Sequence, residues 1–141
     1  MRIWQQAGLS AVAAKEATVV SWMYSNTFFT RELLYKMRKS KSPNCACEKS
    51  VPETVSHFLL HCPLYDHIRQ QYIPTYVEMN SQVLEILNNE HLLLISILDP
   101  LSSKLLDEFV KNWSSVSKVY ELSRKFCYRM YLKREKVYKD N

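Results

Sequence analysis

Three cysteines and one histidine fall within eighteen residues: Cys45, Cys47, His57 and Cys62, spaced C-x-C-x9-H-x4-C. Thiolate and imidazole are donors that zinc prefers, and a closed structural site fills all four tetrahedral positions from protein side chains. The pattern therefore predicts Zn2+ as the cofactor. Cys45 and Cys47 would come from a loop, His57 from inside a short helix, and Cys62 from its end. His61 is a rival fourth ligand, because His57 and His61 at i, i+4 share a helix face; a thiolate-rich set favours Cys62. The two histidines do not form a zinc-protease motif, since Phe58 stands where H-E-x-x-H needs its glutamate base.

Other chemistry is hard to name. The sequence has no G-x-x-x-x-G-K-[ST], no G-x-S-x-G and no paired Asp cluster for two-metal nucleotidyl transfer. His67 and His91 read as surface or capping residues, and Trp4, Trp22 and Trp113 as core. The expectation is a binding protein rather than an enzyme.

The elements that must position these ligands are predicted to be helical. Among 141 residues there is one glycine, Gly8, whereas tight hairpins and phosphate-cradling loops need several where φ is positive. The chain length suits one domain (residues 1–141) with a core of its own. A first helix is expected over Ser10–Ser25, a break at Asn26–Thr27, and a second helix from Thr30 carrying Leu33, Leu34 and Met37, so that residues 10–40 form a helix pair. Lys39–Pro43 reads as a loop leading into a metal-binding loop-helix over residues 43–63.

Pro52 or Glu53 would open the third helix and Pro63 would end it. Five α-helical residues rotate Cys62 about 140° away from His57. Cys62 precedes a proline and is pushed out of helical angles, and that unwinding would let its sulfur swing back. Residues 64–98 read as short helices: Pro63 to about Tyr72 with Pro74 as a stop, then Gln82–Asn88 and His91–Leu98, with strand as the rival for the last. Residues 99–141 read as a cap at Asp99 and a long basic helix.

On that helix Leu106, Phe109, Trp113, Val116, Tyr120, Cys127 and Tyr131 return to one side. Lys125, Arg129, Lys133 and Lys136 form a second stripe, while Leu122 and Phe126 fit neither and would touch the fold or a partner. The formal charge is +5, but Lys111–Asn141 holds nine Lys/Arg against three acidic residues, leaving −1 for the other 110 residues. Such asymmetry points to an acidic partner, nucleic acid being the commonest, with a merely solvated face as the alternative. Unpaired cysteines fit a reducing compartment, nuclear or cytoplasmic, and the longest apolar run, Leu92–Leu98, is far too short to span a membrane.

Three segments together resemble a known family. They are Trp22-Met-Tyr-Ser-Asn-Thr-Phe-Phe-Thr30-Arg31-Glu-Leu33, then Ser42-Pro43-Asn44-Cys45-Ala-Cys47, then Pro52-Glu53-Thr54-Val55-Ser56-His57-Phe58-Leu59-Leu60-His61-Cys62-Pro63. They resemble the zinc-binding region that follows the polymerase in non-LTR (LINE-type) retrotransposon reverse transcriptases, with its T-R-x-x-L, paired cysteines and E-T-x-x-H-x-L-x-x-C. The match spans residues 20–72, and the basic tail around Lys133-Arg134-Glu135-Lys136 is similar to the ends of such elements. The resemblance implies a mostly helical, zinc-stapled accessory module that holds RNA or DNA near an upstream reverse transcriptase domain. It carries over Cys45, Cys47, His57 and Cys62 as ligands and no catalytic residue. The chain departs from the family in its tight C-x-C, in Glu48 where glycine is frequent, and in having no polymerase, which implies a fragment, a decayed copy or a domesticated remnant.

Two functions follow as expectations. The first is non-catalytic nucleic-acid binding without sequence readout. Phosphates would be held by Arg31, Lys36, Arg38, Lys39 and Lys41 before the site and by Lys125, Arg129, Lys133, Arg134 and Lys136 on the last helix, with Tyr128 or Tyr131 stacking on bases. The second is a helical interaction or scaffold module that docks a protein through Leu122 and Phe126, with metal purely structural.

Overall fold

The computed structural model describes residues 11–47, 50–79, 90–99 and 113–139. Five α-helices account for most of them: α1 Ala11–Tyr24, α2 Arg31–Lys36, α3 Asp66–Met79, α4 Glu90–Leu98 and α5 Trp113–Lys139. No strand occurs among the described residues, so the glycine-poor composition is matched by a mostly helical fold. No described helix is long and apolar enough to cross a membrane.

The entry to the site is built by two helix ends. In α1, Glu16, Val19, Val20 and Met23 are buried at three- and four-residue steps and face the core. The helix stops where Asn26 takes a left-handed φ of 60°, a region asparagine tolerates. The Thr27 and Phe28 N–H groups fold back on the Trp22 carbonyl, each at 3.0 Å. Thr30 then caps α2, its side chain accepting from the Leu33 N–H at 3.2 Å. Both the break and the cap stand where the sequence places them. Trp22 differs from expectation: it is 40% exposed, on the rim of α1 rather than in the core.

The third helix is shorter and wider than expected. Pro52 does not open it; Pro52 pairs with Asn44 in an isolated antiparallel bridge, and Glu53 N–H bonds to the Pro43 carbonyl at 2.9 Å. Helical backbone begins at Val55, with Thr54 Oγ1 accepting from His57 N–H at 3.0 Å. From His57 to His61 the turn is π-helical, closed by Cys62 N–H to the His57 carbonyl at 2.7 Å. A tight 3₁₀ turn, Pro63–Tyr65, leads directly into α3. Pro74 lies inside α3 rather than stopping it. The carbonyl it leaves without a helical donor belongs to Gln70, and both residues are exposed, so water can serve it.

Around this turn the core closes. Helix α5 packs against α1 and α3, and α4 against α1. Its buried stripe is Val119, Tyr120, Ser123, Phe126, Cys127, Met130 and Arg134. Of the two alternatives that the sequence left for Phe126, the fold is the one observed: it is only 2% exposed and lies 5.9 Å ring-to-ring from Tyr72. Leu122 packs beside it against the core. This flank faces the fold. Helix α4 is a helix rather than a strand, and Asp99 N–H closes its end on the Ile95 carbonyl at 2.7 Å. The expected helix over Gln82–Asn88 and the positions Trp4, Leu106 and Phe109 lie outside the described residues.

Candidate metal centre

Cys45, Cys47, His57 and Cys62 bring one ligand atom each into a cluster in which all four atoms lie within 4.8 Å of one another. Cys45 Sγ and Cys62 Sγ are 3.6 Å apart, and Cys47 Sγ is 3.5 Å from His57 Nε2. A tetrahedral zinc at about 2.3 Å from sulfur and about 2.0 Å from nitrogen separates its ligands by roughly 3.5–3.8 Å. The observed spacings fit such an ion. Cys45, Cys47 and His57 are nearly buried and Cys62 is fully so. Burial pushes the Cys62 thiol up to about 12, the neighbouring thiols adding to the shift, and burial likewise raises Cys45. Ionising three thiols this close and this dry would require a cation among them. The four residues could hold a metal ion.

Local backbone explains how two distant pairs meet. The arms on either side of the first two cysteines are held together by Cys45 N–H to the Val51 carbonyl at 2.8 Å, beside the Asn44–Pro52 bridge. Ser50 takes the left-handed φ of 52° that a glycine would normally supply. On the other side, the π turn widens the helix so that Cys62, five positions after His57, closes back on it. Cys62 itself is extended, with φ −63° and ψ 123°. The sequence reading expected unwinding alone; widening and unwinding act together. His61 points elsewhere. Its Nε2 meets Glu90 Oε1 at 2.7 Å, and Ser56 Oγ donates to the same oxygen at 2.8 Å, so His61 fastens the turn to α4 and is no ligand.

Two buried arginines brace this arrangement. Arg69, 8% exposed, reaches back from α3 and donates to three carbonyls of the wide turn. Its Nε meets Leu59 O at 2.9 Å, Nη2 meets Phe58 O at 2.9 Å and Nη1 meets Cys62 O at 2.5 Å. Asp66 balances its charge at 2.6 Å. The other arginine, Arg134 of α5, forms a two-pronged pair with Glu53 through Nε at 3.0 Å and Nη2 at 2.7 Å. Glu53 is wholly buried, and its carboxylate also accepts from Arg31 N–H at 2.8 Å and from the Tyr138 hydroxyl at 2.9 Å. That hydroxyl lies 3.8 Å from Cys45 Sγ and accepts from Ala46 N–H at 3.3 Å. Burial alone would lower Arg134, but the hydrogen bond and charge of Glu53 outweigh it and hold the guanidinium above its ordinary value.

These contacts sort the basic residues that the sequence nominates. Arg134 is 8% exposed and fully engaged, so as a phosphate contact it is corrected: its charge is spent inside the fold on Glu53. The Arg31 guanidinium lies over the Tyr138 ring, 5.4 Å from its centre, and is half-buried. Lys36 and Lys125 are exposed but sit beside Glu32 and Glu121, at 3.3 and 2.8 Å. Arg38, Lys39, Lys41, Arg129 and Lys136 are exposed, and Lys133 is half-exposed. Tyr128 and Tyr131 are partly buried, their rings stacked on each other at 6.2 Å. Sequence reasoning missed Glu53, Arg69 and Tyr138 as supports. Glu53 stands in the E-T-x-x-H-x-L-x-x-C segment and reads as a helix opener, but nothing local marks it as a buried carboxylate.

No protein-family model, curated protein or solved structure matches the chain.

Proposed function

We propose that the chain is a non-catalytic module in which one zinc ion fastens a loop to a helix, and that the module binds RNA or DNA through phosphate contacts. The observation that carries the zinc half is the convergence of Cys45, Cys47, His57 and Cys62 within 4.8 Å. Three sulfurs and one imidazole favour zinc over the hard, oxygen-seeking cations, and a set filled by four protein ligands leaves no open position for substrate. Zinc here acts as a structural staple. Its loss would release the loop from the helix and with it the buried Glu53–Arg134 pair beside the site.

Support for the nucleic-acid half comes from charge and exposure. Arg38, Lys39 and Lys41 project from the loop after α2, while Lys125, Arg129 and Lys136 lie on the outer side of α5. Contacts of this kind release counterions and carry no base readout, so affinity depends on salt rather than on sequence. This is also the role implied by the likeness to the region after the polymerase in non-LTR retrotransposon reverse transcriptases, and an upstream reverse transcriptase domain is the neighbour it would serve. Filter binding of single- and double-stranded oligonucleotides over a salt series tests it. Expected is tight binding at low salt, a steep linear fall of log affinity with log salt, and a slope reduced by about three in the Lys125→Gln, Arg129→Gln, Lys136→Gln variant. No binding at low salt, or a slope unchanged by the triple variant, contradicts it.

A further inference from the structure

A second feature of the molecule is an aromatic cavity on the face where α1, the turn after it and α5 meet. It encloses about 470 Å³ and is lined by Trp22, Thr27, Phe28, Phe29, Tyr131, Arg134 and Glu135. Trp22 and Phe29 are 40% and 55% exposed, so two large aromatic side chains border the cavity with free surface. The Trp22 and Tyr131 rings meet nearly edge-on, centres 6.0 Å apart at 64°, and so form a corner rather than a flat plate. The π face of such a ring carries negative charge and attracts cations, as Arg134 over the Phe28 ring, 5.1 Å from its centre, already shows within the wall.

Charge decides what that is. The cavity is lined by one guanidinium and one carboxylate, but Arg134 is already neutralised by Glu53 behind the wall. Glu135 is exposed and makes no ion pair among the described residues. The unbalanced charge is therefore negative and sits beside aromatic faces. A phosphate backbone is repelled there, whereas a cation on an apolar stem is matched at both ends. The walls are also set in advance. The Phe29 carbonyl accepts from Arg134 Nη2 at 3.0 Å, and Thr27 is tied to the Trp22 carbonyl by its N–H at 3.0 Å. Asn26 makes the turn that places both.

We infer that this cavity binds an alkylammonium group, the side-chain end of a lysine, methylated or not, presented by a partner protein. The site uses none of the four candidate metal ligands and none of the lysines proposed to contact phosphate, although it shares Arg134 with the Glu53 pair. Calorimetry on the full chain tests it with N-acetyl-lysine amide, N-acetyl-trimethyllysine amide, a neutral tert-butyl isostere of the latter, and a single-stranded oligonucleotide as competitor. Expected is saturable binding of at least one cationic probe, and the stronger of the two identifies the source. The neutral isostere should bind at least roughly tenfold more weakly, and Glu135→Gln and Trp22→Ala should each weaken the cation by about tenfold. Glu135 is exposed, so its variant keeps the fold and carries the test if Trp22→Ala does not. Equal binding of the isostere, no effect of Glu135→Gln, no binding of either cation at millimolar concentration, or displacement of the cation by the oligonucleotide overturns the inference.

Discussion

Glu53 shows how much of this molecule turns on one side chain. A wholly buried carboxylate is tolerable only when its lone pairs are filled, and here four donors fill them, one from α2 and three from α5. Removing one member of such a set leaves a buried charge uncompensated. Glu53→Gln is expected to destabilise the chain by about 3–5 kcal/mol, read by chemical denaturation. Pairing it with Arg134→Met should recover a large part of that loss, because no orphan cation remains. If the double variant is as unstable as the sum of the two singles, the pair is not the unit described. The neighbouring histidines separate just as cleanly. His61→Ala should leave metal content unchanged and cost only the tie to Glu90, whereas His57→Ala should abolish metal binding. Cys127 is a useful control: it is buried and remote in sequence from the cluster, so Cys127→Ser should keep the metal. Metal analysis of the three variants checks all of this.

At the scale of elements, the wide turn His57–His61 is the device that turns a spacing into a site. Its carbonyls at Phe58 and Leu59, and that of Cys62 just after it, are held by Arg69 rather than by a continuing helix. Arg69→Met keeps the volume near Tyr65 and Ile68 but leaves three buried acceptors unserved. Expected is a loss of about 2–3 kcal/mol in stability together with weaker metal retention in a competition with chelator. An Arg69→Met chain as stable and as metal-tight as its parent would mean that the turn needs no such brace. Helix α5 makes a second case. Leu122 and Phe126 are core residues here, so Phe126→Glu should unfold the α3–α5 contact and lower the melting temperature, not merely remove a partner. Circular dichroism melting distinguishes the two: a folded Phe126→Glu chain with unchanged melting would restore the docking role expected from sequence.

For the whole molecule, what could be read from sequence depended on how local the cause was. The four ligands were legible because cysteine and histidine are uncommon and only 18 residues enclose them all. Thr30 and the Asn26 break were legible because caps and left-handed turns are properties of a few adjacent residues. Arg134 was not. Its partner is 81 residues away, and inside a basic run it is indistinguishable from lysines that face water. The phase of α5 was legible in part: Tyr120 and Cys127 are buried as the sequence expected, but the packed stripe also takes in Ser123, Phe126 and Met130, which the apolar spacing did not single out. The π turn left only an indirect trace, a histidine and a cysteine five apart followed by proline. All of these pieces converge on the cluster of Cys45, Cys47, His57 and Cys62, since loop, turn and last helix meet beside it. The most direct measurement is elemental analysis of the purified chain with its melting temperature, before and after exhaustive chelation. Expected is one zinc per chain, close to none in Cys45→Ser, and a large fall in melting temperature on chelation that added zinc reverses. A chain that carries no metal, and melts at the same temperature with chelator or with zinc, contradicts the staple outright.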